Sequence, residues 1–323
     1  MSFWDKVLIK SAAVFKAALG LGFFICTAYI IFSIFDFLKI DRKVYEGTYN
    51  MVFCLASFAV MFIIHKISSF HKEPLFKVKK LSPDQVAAII IVGLGMLGLV
   101  ATYINIVNLL AESRETVSEA MEEYRDNVDR FSDVPQTVIP VWDSILYVFN
   151  ICFIVPVIEE MTFRGVVFGQ LRREFSPLIS IVLSAFAFGI MHGISIHIGY
   201  AFACGVIIAT CYHLTDSLIA PVILHSVFNI FGSGIPTFMS IEELGIPGEI
   251  TSSFSYGIHV SSMLFMPISV LAIAYLVNIK RKKAKEAAEL EKALQTGDGE
   301  EQETEISVEE NVLPADDGSE AAS

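Results

Sequence analysis

Three polar clusters sit inside otherwise apolar stretches between Ile145 and Phe231: Glu159-Glu160 with Arg164, Phe188 with His192, and His225 with Asn229. Ionisable side chains at bilayer depth are rare without a partner, a water-filled cavity or a function. Neighbouring residues of a helix point about 100° apart, so the two glutamates cannot share one spot. Glu160 and Arg164 are spaced i,i+4 with the acid first, the favourable order for an ion pair. That spacing predicts a clasp and leaves Glu159 to meet another helix. Pro156, one turn earlier, lacks a backbone donor and predicts a kink. His192 closes the apolar run from Phe186 to Met191; alone, a histidine so placed is usually a satisfied core residue. His197 and His213 read as boundary residues. His225 and Asn229, again i,i+4, project from one face. An imidazole and a carboxamide so arranged can donate two hydrogen bonds to one oxygen, as an oxyanion hole requires. A plain polar contact between helices is the competing reading.

One carboxylate, two imidazoles and an amide in a dry pocket suggest hydrolysis. A desolvated Glu159 can serve as general base on a water also held by His192, with His225 and Asn229 stabilising the tetrahedral oxyanion. The same atoms allow a metal variant, in which Glu159, His192 and His225 hold zinc with one position open for water. The chain has no H-E-x-x-H, and no G-x-S-x-G for a serine nucleophile. Cys26, Cys54, Cys152, Cys204 and Cys211 all lie in apolar stretches without C-x-x-C spacing, and read as small buried side chains.

The elements that must position these groups are membrane spans. The chain is 54% hydrophobic over 323 residues, with mean hydropathy +0.60, too apolar for a soluble domain of this length. Eight segments are long enough to cross: 12–35, 50–64, 84–110, 145–171, 178–193, 198–213, 217–231 and 258–279. The expected fold is therefore all-α and polytopic, with the site in the C-terminal half. Residues 1–140 would hold the N-terminal spans and an outer loop, 141–280 the catalytic core, and 281–323 a basic juxtamembrane segment and a tail. At about 1.5 Å per residue, Glu159, His192 and the His225–Asn229 pair fall about 20, 22 and 12–18 Å from one presumed edge, so three helices can bring them to a common layer.

The net charge of -12 resides in the tail, where thirteen acids from Glu286 onward face the single Lys292. The remainder is neutral, so nucleic acid is excluded as an expected partner. The partners expected are the lipid bilayer and a peptide or protein at the membrane. Lys66 to Lys80, Arg172-Arg173 and Lys280 to Lys285 fall on one side of an eight-span topology, which predicts cytoplasmic termini. Lys39, Arg42 and Lys43 argue weakly the other way. Within the outer loop 111–140, Val117, Ala120, Met121, Tyr124, Val128 and Phe131 recur at helical spacing, predicting an amphipathic surface helix that is either a lid or inert. Ser82-Pro83-Asp84-Gln85 is a helix-start signal. The acidic tail reads as disordered.

These motifs, E-E-x-x-x-R, F-x-x-x-H and H-x-x-x-N in order on the fourth, fifth and seventh spans, resemble the CPBP family of CAAX proteases and bacteriocin-processing membrane proteins, which includes the type II CAAX prenyl endopeptidases. The resemblance covers about 145–232. It implies an intramembrane endopeptidase in which Glu159 and His192 activate water, His225 and Asn229 form the oxyanion hole, and Glu160, Arg164 and Phe188 support them. The resemblance is compatible with a metalloprotease and with a metal-free glutamate mechanism; the expectation preferred here is the latter, with no cofactor, and zinc is the alternative. Non-catalytic family members make a scaffold or immunity role the alternative. A transporter is a third reading, against which the motif order and the lack of an inverted repeat both argue.

Overall fold

The structure is a computed structural model that describes residues 2–129, 138–193 and 195–296. Among these the chain is helical and contains no strand. Its main helices are α1 (Phe3–Phe37), α2 (Glu46–Ser69), α3 (Pro83–Ala111), α4 (Glu115–Asp129), α5 (Val141–Leu171), α6 (Pro177–Ile190), α7 (Ser195–Thr215), α8 (Ile219–Met239) and α9 (Gly248–Thr296). Seven are long and apolar enough to cross a membrane, and α6 is a shorter apolar helix. The eight expected segments thus each meet one helix, with ends shifted by several residues. The side chain of Val128, the residue Phe131 and the acidic tail beyond 296 lie outside the described residues. Met1–Leu276 form one compact unit; from Val277 a second unit begins, in which Lys282 pairs with Glu286 at 3.7 Å.

Lipid tails are as apolar as leucine, so spans associate by close packing and polar contacts. Small residues mark where this happens. On α1, Ala13, Ala17 and Gly20 are buried along one stripe; a Cβ at Gly20 would lie 2.5 Å from Val166 of α5. On α3, a Cβ at Gly93 would lie 3.1 Å from the Leu224 carbonyl of α8, and one at Gly98 would lie 2.5 Å from the Ser262 carbonyl of α9. These helices touch backbone to backbone. Outward faces stay greasy: Phe15, Tyr29, Leu55, Leu178 and Phe186 are all exposed, as a lipid-facing surface requires.

Polar ties fix the ends. The expected start of α3 forms, with Ser82 N–H donating to Gln85 Oε1 at 3.1 Å. The start of α2 has no side-chain cap of its own. Buried Asp143, from the first turn of α5, accepts from Gly47 N–H at 2.7 Å and from Thr48 N–H and hydroxyl at 2.9 and 2.6 Å. A carboxylate here satisfies orphan donors and the positive end of the α2 dipole together. At the other end of the bundle, Asp216 pairs with Lys79 at 2.7 Å and Arg172 at 3.2 Å, and Ser217 exchanges hydrogen bonds with the Lys79 backbone. This holds the 70–82 segment under the bundle.

α4 packs its apolar face on the bundle. Met121 is buried with Val107 of α3 and Ile196 of α7, while Val117, Ala120 and Tyr124 pack around them. Arg125 donates to Asn108 at 2.9 Å. The amphipathic helix expected from the sequence is therefore docked on protein.

Candidate active site

α5 carries Glu159 and Glu160 between two π-helical turns, 150–154 and 161–167. The first has a local cause. Pro156 has no N–H, and its ring would clash with the carbonyl four residues back in a regular helix. The helix widens instead, and Val155 N–H reaches back five residues to the Asn150 carbonyl. The Ile151 carbonyl then has no helical donor, because position 156 supplies none. Asn229 Nδ2 of α8 donates to that oxygen at 2.8 Å. α8 repeats the device: its π turn at 230–234 precedes Ile235-Pro236, and Ile235 N–H reaches back to Ile230. The two widened turns meet where a Cβ on Gly234 would lie 2.2 Å from Cys152 Sγ. Such turns occur often at functional sites.

Glu160 is wholly buried and accepts from Arg164 Nη1 at 2.9 Å, so the clasp is present. Its Oε1 also accepts from His225 Nδ1 at 2.8 Å, a contact that spacing within one helix could not reveal. Arg164, equally buried, donates to the Gly205 carbonyl of α7 at 3.3 Å and lies 4.5 Å from the centre of the Phe188 ring. Phe188 in turn sits edge-on to His192 at 4.6 Å and to His225 at 6.0 Å. One cation, one carboxylate and one aromatic ring thus tie α5, α6, α7 and α8 together.

His192 follows the end of α6, where Gly193 adopts φ +75°, the left-handed conformation that glycine takes without strain. Its Nδ1 lies 2.8 Å from the Phe188 carbonyl. A carbonyl only accepts, so Nδ1 carries the proton and Nε2 is the nitrogen left for chemistry. By the same logic His225 Nδ1 is protonated toward Glu160, and its Nε2 lies 3.8 Å from Glu159 Oε2. Glu159, about a quarter exposed, is the accessible carboxylate of the pair.

Glu159, His192, His225 and Asn229 all line one cavity of about 730 Å³. The structure therefore brings the four sequence-derived candidates to a shared space, with Phe188 beside them and Glu160 and Arg164 behind. The close approach of Glu159 is to His225, whereas the sequence reading paired it with His192. Spacing also missed His197, Tyr147, Tyr200 and Cys204, which line the same cavity. His197 lies 4.6 Å from the His192 ring and stacks on Tyr200 at 4.7 Å. Its only sequence signal was proximity to His192. Among the described residues no group of three or more His, Cys, Asp or Glu is arranged to hold one metal ion.

Residues 141–231 match the family model described as type II CAAX prenyl endopeptidase Rce1-like. The chain is 24% identical over 187 residues to the "Putative membrane peptidase YdiL" of Bacillus subtilis (strain 168), covering 58% of this chain and 70% of that protein. It is 32% identical over 92 residues to the membrane-embedded CAAX protease MroQ of Staphylococcus aureus (strain USA300), covering 27% and 37% respectively. No solved structure matches. The matched segment contains all three motifs and both π turns of α5, so the α5–α8 core of this polytopic helical protein is similar to the Rce1-like type II CAAX prenyl endopeptidases.

Proposed function

We propose that the protein is an intramembrane endopeptidase that hydrolyses a peptide bond of a membrane-associated polypeptide through a glutamate-activated water. The observation that carries this reading is one cavity lined by a partly accessible Glu159, an imidazole with a free-facing Nε2, and a carboxamide fixed by a backbone carbonyl. Glu159 takes a proton from water held between it and His192 Nε2, and the oxygen attacks the scissile carbonyl carbon. The developing oxyanion is met by the second amide hydrogen of Asn229 and by His225 Nε2–H. His225 donates there when its ring carries both protons. The charges of that form, His225 and Arg164 against Glu159 and Glu160, sum to zero. Collapse breaks the C–N bond, and Glu159 returns its proton to the leaving amine.

The steps above use no ion; Glu159, His192 and His225 are the residues that would hold zinc in the alternative mechanism. Replacing Glu159 with Gln keeps shape and removes the base. Cleavage of a membrane-anchored reporter by the reconstituted protein should fall by at least about 10²-fold, while insertion and thermal stability in detergent stay unchanged. Undiminished cleavage by that variant would reject the assignment.

A further inference from the structure

The cavity draws on one end of every helix that lines it. α3 contributes Met96 to Asn105 toward its C-terminal end, and α5 and α7 contribute Tyr147 to Glu159 and His197 to Ile208, counted from near their N-terminal ends to just past their middles. α8 enters through His225 to Thr237, and α9 through Tyr256 to Met263. Tyr124 of the docked α4 joins them. All these ends adjoin the connections 112–140, 191–194 and 240–247. The opposite ends adjoin 70–82, 172–176 and 216–218.

The two sides differ in charge. The side away from the cavity carries Lys66, Lys72, Lys77, Lys79, Lys80, Arg172 and Arg173, which outnumber Glu73, Glu174 and Asp216 there. The cavity side carries Glu112, Glu115, Glu119, Glu122, Glu123, Glu242, Glu243 and Glu249. Short basic connections stay in the cytoplasm. Lys39, Arg42, Lys43, Arg114 and Arg125 are the cations described on the cavity side, and the acids there outnumber them. The described lining also includes four imidazoles and Glu159 but no lysine or arginine. A terminal carboxylate entering this cavity meets no lysine or arginine among the described lining, and the His225 ring is already faced by Glu159 and Glu160.

We infer that the cavity opens on the extracytoplasmic side, and that its substrate is an exported or membrane-tethered segment presented from that side and held along its backbone, not by a free C-terminal carboxylate. This rests on the peptidase reading above. The test places single cysteines in the full chain, Tyr256→Cys and Ser233→Cys at the cavity mouth and Lys80→Cys on the opposite side. Each is read against the parent, and each position used must react in detergent. A membrane-impermeant maleimide should label the two mouth positions in intact spheroplasts to the level reached in detergent. Lys80→Cys should label only after permeabilisation. Labelling of Lys80→Cys in intact spheroplasts, with or without the mouth positions, overturns the inference. So does failure of both mouth positions to label before permeabilisation. Either result leaves the peptidase reading standing, because that reading is judged by cleavage in the Glu159→Gln protein.

Discussion

Glu160 shows how much a single side chain can carry. It is the negative partner of a fully buried arginine and the acceptor that fixes the His225 ring. Removing one member of a buried ion pair leaves the other uncompensated and costs about 3–5 kcal/mol, whereas replacing both by apolar groups is often neutral. Glu160→Ala should therefore lower the melting temperature in detergent sharply. The double change Glu160→Ala with Arg164→Met should recover much of that loss and still lack activity, because His225 remains untethered. Equal stability of the single and double variants would show that the pair is not what Glu160 contributes. The candidate residues themselves were legible, since charges in apolar stretches stand out. Their partners across helices were not: i,i+4 spacing finds Arg164 but says nothing of His225, sixty-five positions away.

At the scale of elements, a disturbance at Pro156 followed from the missing N–H, but its form, a widened turn, did not. A proline predicts disturbance; whether the helix breaks, kinks or widens depends on who satisfies the freed carbonyl, and here the donor comes from another helix. The same holds for Asp143, whose value as a cap depends on α2 docking against α5. The contact between the two widened turns makes a specific prediction. Gly234→Ala puts a methyl onto Cys152 Sγ, and overpacking of this kind typically costs about 1–3 kcal/mol. Adding Cys152→Ala should restore the melting temperature and the cleavage rate together. A failure of the second change to rescue the first would mean the strain lies elsewhere.

At the scale of the Met1–Leu276 unit, Asp216 ties Lys79 and Arg172 together at the end remote from the cavity. Burial alone would raise its carboxyl, but hydrogen bonding to Lys79 and the charges of Lys79, Arg172 and Lys77 outweigh this and hold it below its ordinary 3.8. A depressed carboxylate stabilises the fold above its unfolded value and loses that contribution as pH falls through the folded one. Melting in detergent should accordingly drop on acidification below about pH 4, and Asp216→Asn should flatten part of that slope. The group is more than a third exposed, so screening keeps the effect under about 1 kcal/mol. The positions of the apolar helices and the all-α class were readable from hydropathy, because a bilayer admits few other solutions. Helix ends were displaced because hydropathy marks the greasy centre of a span, while capping groups, some of them tertiary, decide where the helix stops.

The clasp between Glu160 and Arg164 also bears on how such a chain is made. Its partners stand one turn apart on the same helix, so the bond can close as soon as that turn forms, before any neighbouring span has arrived. An arginine that found its anion only on another helix would have to cross into lipid bare. Here α5 enters the bilayer with its costliest cation already neutralised, and the remaining assembly is left to sideways association of greasy rods.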